Sequence, residues 1–126
     1  MSSITPRQLQ KNVFPITCDW VSDASGDATV STINYSGYKL SSVLFVPGKN
    51  GDLATDLPTD QYDAVLTDIA SGVDMLAGNG ANRSGTAADA TIVASTDVLI
   101  FGKMNLVISN AGNTKKGRVY ILMQAS

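Results

Sequence analysis

Apolar and polar residues alternate with a period of two over most of the chain. The clearest run carries apolar side chains at every second position, at Phe14, Ile16, Cys18 and Trp20. Successive side chains of a β-strand point to opposite faces of its sheet, so this alternation predicts a strand with one buried face. Pro15 lies inside the run and cannot donate to a β-ladder, which predicts an edge strand or one that starts after the proline.

A second clear run of alternating residues covers 38–46. Strict alternation predicts one face with Tyr38, Leu40, Leu44 and Val46 and another with Lys39, Ser41, Val43 and Phe45. The late residues of the run are apolar on both faces, which is typical of a central strand that is covered on both sides. We therefore expect this strand to lie inside a sheet.

Further strands are predicted at 29–33, 62–67, 91–93, 98–101, 104–109 and 118–123, with only a brief pairing at 73–76, and they are separated by turns rich in Gly, Asn, Asp and Ser. About seven or eight short strands at intervals of about 10 residues, with little helix, predict an all-β protein: an antiparallel β-sandwich or β-barrel. The expected core consists of apolar residues on the inner faces: Ile16, Cys18, Trp20, Leu40, Leu44, Leu66, Leu106, Ile108, Ile121 and Met123.

Two segments are too poor in apolar residues to pack on their own. Residues 1–12 predict an N-terminal arm before a single domain at 13–126, and residues 78–88, with three glycines, predict a long loop. Because ordering a residue costs about 1–2 kcal/mol, we expect both segments to be mobile in the free subunit and ordered by a partner. The candidate partner-binding residues are Ile4, Pro6, Arg7, Leu9, Asn82 and Arg83.

Composition narrows the range of functions. The chain contains no histidine, and all eleven acidic residues are aspartate, so glutamate is absent as well. Histidine and glutamate supply most acids, bases and metal ligands of ordinary enzymes. We therefore expect no enzyme activity, no catalytic residue and no cofactor. Aspartate is a turn former with poor helix and strand propensity, which fits short strands joined by many turns.

Five aspartates lie close enough in sequence to form a calcium site: Asp56, Asp60, Asp63, Asp68 and Asp74. Their spacing is not that of an EF-hand, and aspartate next to Gly, Pro or Ser usually serves turns, so we expect turns and no metal. The glycine cluster at 78–80 has no following Gly-Lys-Ser/Thr motif, which argues against a nucleotide site.

Five aromatic residues could form a platform for carbohydrate: Trp20, Tyr35, Tyr38, Tyr62 and Tyr120. The strand pattern directs Trp20, Tyr38 and Tyr62 inward and leaves Tyr35 and Tyr120 exposed, so a role in the core is the simpler interpretation. The single cysteine, Cys18, lies on an apolar face and is expected to be buried.

Charge and hydropathy argue against nucleic-acid and membrane partners. The net charge is -2, and Lys115 and Lys116 form the only basic pair, which predicts a charged hairpin tip. No apolar run approaches the roughly 20 residues that cross a bilayer, and the first residues lack the pattern of a secretory signal. We expect synthesis in a reducing cytosol.

Four stretches of strand and turn residues resemble small structural proteins from the heads of tailed bacteriophages. They are QYDAVLTD at 61–68, GVDMLAG at 72–78, NRS at 82–84 and MNLVISNAGN at 104–113. The resemblance covers the C-terminal half, and the proteins concerned include capsid decoration or cement subunits, which are often β-rich and trimeric.

This resemblance implies a structural virion protein on the capsid surface, made in the host cytoplasm. It further implies a homotrimer that binds the major capsid protein or other virion proteins. Two alternatives stay open from the sequence: a tail or head-to-tail connector subunit, and a carbohydrate-binding β-sandwich module.

Overall fold

The computed structural model of the chain describes residues 13–92 and 99–125. They form two four-stranded antiparallel sheets, which confirms the predicted all-β sandwich. The strands are β1 (Val13–Val21), β2 (Ala28–Ser31), β3 (Tyr38–Pro47), β4 (Asp63–Asp68), β5 (Val73–Asp74), β6 (Asp89–Ile92), β7 (Met104–Ser109) and β8 (Lys116–Ala125). The described residues contain one short 3-10 turn, Lys49–Gly51. The predicted arm, with Ile4, Pro6, Arg7 and Leu9, lies outside the described residues.

Sheet A has the strand order β1-β8-β3-β6. β8 pairs with β1 from Val13 opposite Gln124 to Val21 opposite Lys116, and with β3 along its other edge. β1 is therefore an edge strand, as Pro15 predicted, and the missing N–H of the proline costs the sheet no interior ladder bond. The prediction that β3 lies inside a sheet is confirmed as well.

Sheet B has the strand order β2-β7-β4-β5. β7 lies between its neighbours, with Leu106 opposite Val30 of β2 on one side and Leu66 of β4 on the other. Leu66 and Leu106 are fully buried. The alternation predicted for β4 and β7 thus places their apolar residues between the two sheets.

The core fills the space between the sheets. Eight of the ten predicted core residues are buried, and Ile16 packs against the core at its margin. Trp20 lies opposite Gly117 of β8, where a Cβ atom would meet the indole ring. Glycine at this position leaves room for the largest side chain of the core.

The tenth predicted core residue, Leu44, is the exception, and a β-bulge explains it. The register between β3 and β8 shifts between Leu40 and Ser42, so one residue of β3 is left unpaired. An extra residue reverses the alternation beyond it. Leu40, Val43 and Phe45 therefore point inward, while Leu44 is only partly buried and lies outside the core. The face assignment for 38–46 is wrong after Leu40 for this reason.

The sandwich has two distinct ends. At the upper end β1 and β3 begin, β4 stops and β7 begins; at the lower end β1 and β3 stop and β6 begins. Residues 99–103 cross the upper end between the sheets, since Leu99 bridges to Lys39 of β3 and the Ile69 N–H donates to the Lys103 carbonyl. The strand predicted at 98–101 is thus reduced, in its described residues, to one isolated bridge.

The segment that follows β5 returns to the lower end along β4. Met75 and Leu76 are buried, and Gly80 lies so close to the Ala64 carbonyl that a Cβ atom would collide with it. The Arg83 N–H donates to the Tyr62 carbonyl, and the Gln61 N–H donates to the Arg83 carbonyl. The loop predicted to depend on a partner is therefore anchored by backbone bonds to its own domain.

Candidate interaction surface at the upper end of the sandwich

Five exposed apolar residues lie at the upper end, and we call them the upper rim. They are Ile33 (68% exposed), Phe101 (63%), Val73 (51%), Ile69 (50%) and Leu99 (38%). The other large exposed apolar residues in the described chain, Val21, Leu53 and Val65, lie elsewhere. Scattered apolar residues are normal on a surface, but several at one end of a small domain indicate a surface that contacts a partner.

Strand pairing places two rim residues on either side of β7. The Ile69 N–H donates to the Lys103 carbonyl at 2.9 Å, and the Thr32 N–H donates to the Met104 carbonyl at 2.9 Å. The same register continued by one residue brings Ile33 opposite Lys103. Ile33 and Ile69 thus extend the outer face of sheet B on both sides of the exposed Lys103 side chain.

The buried carboxylate of Asp68 accepts hydrogen bonds from the backbone of two segments that carry rim residues. Its Oδ2 accepts from the Phe101 N–H at 2.9 Å, and its Oδ1 accepts from the Ala70 N–H at 3.2 Å. Val73 lies opposite Asp68 in the short β4–β5 ladder. A buried carboxylate is tolerated when backbone donors satisfy it, and here those bonds fix the positions of the two rim segments.

The outer face of sheet B below the rim carries few charges. Val107 lies between Thr29 and Val65, and Asn105 lies between Ser31 and Thr67. The Ser31 hydroxyl donates to the Asn105 side-chain oxygen at 2.6 Å, so the polar pair in this row is satisfied. This face therefore continues the rim as a surface with few charges.

Arg83, predicted to bind a partner, makes several contacts within its own chain. Its guanidinium contacts Asp89 at 3.2 Å and lies 5.4 Å from the centre of the Phe45 ring, and its side chain is only 15% exposed. Two of its nitrogens also approach the Ala81 carbonyl. These contacts join the loop to β3 and β6, so the structure gives Arg83 a packing role.

Asn82, the other described candidate, is exposed and has a positive φ of 57°. Its N–H donates to Asp63 Oδ1 at 3.0 Å, while Asp63 Oδ2 accepts from the Asn110 side chain at 2.6 Å. Asparagine tolerates the left-handed conformation, which suits this turn. Asn82 and Arg83 lie toward the lower end, away from the upper rim.

The aspartates that lie close enough in sequence to form a calcium site accept hydrogen bonds from backbone N–H groups or form ion pairs. Asp74 accepts from the N–H groups of Leu66, Leu76 and Gly78, and Asp60 accepts from that of Gly85. Asp56 pairs with Lys116 at 3.4 Å. The described residues contain no group of three candidate metal ligands. Backbone hydrogen bonds thus account for Asp60 and Asp74, and an ion pair accounts for Asp56.

The aromatic residues do not share one face. Trp20 and Tyr62 are buried with ring centres 5.5 Å apart, and burial raises the pKa of the Tyr62 hydroxyl. Tyr35, expected to be exposed, is half-buried against Phe14 and Tyr38, with ring centres 6.3 and 6.0 Å away. Tyr120 is half-buried on the outer face of sheet A.

Cys18 is buried, as predicted, and burial raises the pKa of its thiol, so it stays protonated at neutral pH. The described part of the chain contains no cavity of ligand size. None of its helices is long and apolar enough to span a membrane.

Comparison with known proteins gives a likeness among solved structures. No protein-family model matches the chain, and no curated protein matches it. Among solved structures, the chain is similar to one from the structure described as "Cyanophage Pam1 capsid asymmetric unit", with 16% sequence identity and a TM-score of 0.37. The similarity covers 91% of this chain and 83% of that chain.

Proposed function

We propose that the chain is a non-enzymatic structural subunit of a phage virion, a decoration or cement subunit on the capsid surface. The observation that carries the proposal is the upper rim, where five apolar side chains face solvent on a sandwich that is otherwise well packed. A subunit that adds to a shell works through such a contact surface, which is covered on assembly. The sequence resemblance to phage head proteins points to the same class.

The partners in this proposal are the major capsid protein or other virion proteins, with further copies of this chain completing a homotrimer. The upper rim supplies the apolar centre of the contact, and the outer face of sheet B, which carries few charges, extends it. About 800 Å² per partner is usual for a stable protein interface, so the rim needs this adjoining surface as well. The capsid surface is the corresponding location.

The test uses virions of the phage or induced prophage that encodes the chain. We expect mass spectrometry of purified virions to detect the protein in many copies. Heads assembled without it should release DNA at a lower temperature, and adding the purified protein should restore their stability. Absence of the protein from purified virions would contradict the proposal.

A second candidate, a connector or tail subunit, shares the need for an exposed contact surface. Electron microscopy of antibody-labelled virions separates the two. A decoration subunit labels the whole head, whereas a connector subunit labels one vertex or the tail. Label confined to one vertex or the tail would replace the decoration role with the connector role.

A further inference from the structure

β1 forms a free edge of sheet A and, with nine residues, is the longest edge strand among the described residues. Directly after it, the Ser22 N–H donates to the Lys115 carbonyl at 2.8 Å. Backbone groups alternate in direction along a strand, so the even-numbered residues of β1 bond to β8 and the odd-numbered residues direct their groups away from the sheet. These outward residues are Val13, Pro15, Thr17, Asp19 and Val21. All except Pro15 direct an N–H as well as a carbonyl outward.

The outward groups of β1 have no hydrogen-bond partner among the described residues. The other described edges are shorter, since β2 and β6 have four residues each and β5 has two. Natural proteins usually block a free edge with proline or charge, because unpaired backbone groups readily accept another strand. β1 has Pro15 near its start, and the charge of Asp19 is paired with Arg118 at 2.7 Å. The part of β1 beyond Pro15 is therefore open to a second strand.

We propose that β1 pairs antiparallel with β1 of a second copy of this chain, about a two-fold axis at Cys18, so that two four-stranded sheets become one continuous sheet. The inference goes beyond the proposed function and uses an edge that the virion contact leaves free. Two identical antiparallel strands are related by a two-fold axis, so the contact joins copies in pairs. A three-fold axis cannot relate such strands, and on a virion the pairing links neighbouring homotrimers.

Pro15 and Asp19 select the position of the axis. An axis at Thr17 would place Pro15, which has no N–H, opposite Asp19 of the other copy and next to the centre of the ladder. An axis at Asp19 would place two carboxylates directly opposite each other, which is destabilising. An axis at Cys18 avoids both problems, because Thr17 then lies opposite Asp19 of the other copy. Pro15 lies opposite Val21 at the ends of the ladder, where water has access to the unpaired carbonyl.

The pairs that this axis creates are complementary on both faces of the sheet. On the outer face, the hydroxyl of Thr17 meets the carboxylate of Asp19, a polar pair without like charges. On the inner face, Cys18 lies opposite Cys18 and Ile16 lies opposite Trp20, so apolar residues meet apolar residues. Ile16 is only partly buried at the margin of the core within one chain, and the second copy covers it further. Backbone hydrogen bonds and apolar burial thus both favour the pair.

Thr17→Pro tests the edge with little disturbance of the subunit. The change removes an N–H that points away from sheet A, and β1 already contains a proline at such a position. Thr29→Pro is the matched control. Thr29 is an exposed threonine of the edge strand β2, and its N–H points away from sheet B because the Thr32 N–H donates to the Met104 carbonyl.

Sedimentation velocity at about 100 µM, well above a micromolar dissociation constant, measures the mass of each protein. We expect wild type and Thr29→Pro to have about twice the mass of Thr17→Pro, because proline removes a central hydrogen bond of the ladder on both copies. Equal masses for wild type and Thr17→Pro would overturn the proposal. A monomeric wild type, as expected if the edge instead binds a different virion protein, would overturn it too.

A cross-linking measurement tests the register and does not depend on the folding of Thr17→Pro. Thr17→Cys is mixed with Asp19→Cys, because residues in a hydrogen-bonded antiparallel pair have Cα atoms about 5.5 Å apart, within the disulfide range of about 4.4–6.8 Å. Thr17→Cys mixed with Val21→Cys, two residues further along the same face, is the matched control. Wild type supplies the background from Cys18, which is buried and has a raised thiol pKa.

Under mild oxidation, we expect the Thr17→Cys and Asp19→Cys mixture to give about tenfold more disulfide-linked heterodimer than the Thr17→Cys and Val21→Cys mixture. Peptide mass spectrometry identifies the linkage. Equal yields from the two mixtures would overturn the pairing about Cys18. Failure of either test leaves the proposed function unaffected, because the virion contact uses the upper rim.

Discussion

The two outer faces of the sandwich satisfy their side chains in different ways. On sheet A, Arg118 makes two hydrogen bonds to the Asp19 carboxylate, at 2.7 and 3.0 Å, and lies 5.8 Å from the centre of the Tyr120 ring. On sheet B, the outer face ends in Ile33 and Ile69, which face solvent. In the described part of the chain, the charged groups of the first face pair with each other, whereas the second face ends in exposed apolar side chains.

The comparison teaches that exposure alone does not identify a contact surface. Val21 is as exposed as Val73, but it lies at the lower end, whereas Val73 belongs to a group of apolar residues at the upper end. The hydrophobic gain from covering a surface is proportional to the apolar area that leaves water, so grouped residues contribute where single ones do not. Position at the upper end, and not exposure alone, distinguishes the rim residues from Val21.

The largest expected effect is on the free energy of unfolding, when residues of β3 on the two sides of the bulge are truncated. Leu40→Ala should lower the free energy of unfolding by about 2–5 kcal/mol, because it empties a fully buried site. Leu44→Ala, four residues later on the other side of the bulge, should cost about 1 kcal/mol or less. Urea denaturation of both variants measures the difference. Equal losses would show that the bulge does not turn Leu44 outward.

Two arginines provide the next contrast. Arg83→Ala should lower the free energy of unfolding by about 1.5–3 kcal/mol, because it leaves Asp89 without its partner and detaches the loop from Phe45. Arg118→Ala on the solvated face of sheet A should cost less, since water screens its pair with Asp19. Arg83→Lys, which keeps the charge but loses the guanidinium fork, should fall between wild type and Arg83→Ala. A larger loss of unfolding free energy for Arg118→Ala than for Arg83→Ala would contradict the packing role of Arg83.

The smallest effect is a pH dependence on sheet A. The hydrogen bonds from Arg118 lower the pKa of Asp19 in the folded state. A lowered pKa adds stability above the unfolded value, about pH 4, and this contribution disappears as the pH falls through the folded value. Wild type should therefore be slightly more stable than Asp19→Asn at pH 7, and the difference should vanish as the pH falls through the lowered pKa of Asp19. Thermal melts across this range check it, and a difference that grows with acid would contradict the sign.

Alternation was sufficient to predict the strands that carry it without interruption. β1, β7 and β8 show apolar residues at every second position, and the structure buries these residues except Phe14 and Ile16, which are partly buried at the margin of the core. The same rule failed in β3, because the bulge near Ser41 reverses the faces and no local residue marks it. The sequence pattern also did not predict that Arg83 packs against Phe45, because the two residues lie far apart in sequence.

The upper rim was missed for a related reason. Ile69 follows directly after β4, Ile33 follows soon after β2, and Phe101 lies in an apolar run that predicted a strand. Whether such residues are covered depends on which segments meet at one end of the sandwich, and that is set by topology. The signal in the sequence was an isoleucine in the turn Asp68-Ile69-Ala70-Ser71-Gly72, where polar residues are usual.

The most direct test of the account compares Val73→Asp with Val21→Asp for binding to virions that lack the protein. Both changes place a charge on a valine that is about half exposed, 51% and 55%, and they differ in the end of the sandwich they occupy. An unpaired charge buried in an apolar contact is costly, so Val73→Asp should reduce the protein that sediments with the particles by more than about tenfold. The new carboxylate lies opposite Asp68 and should lower the melting temperature, so binding is compared at a temperature at which both variants are folded. Val21→Asp should bind as wild type does. Equal binding by the two variants, or a loss only for Val21→Asp, would contradict the claim that the upper rim is the contact surface.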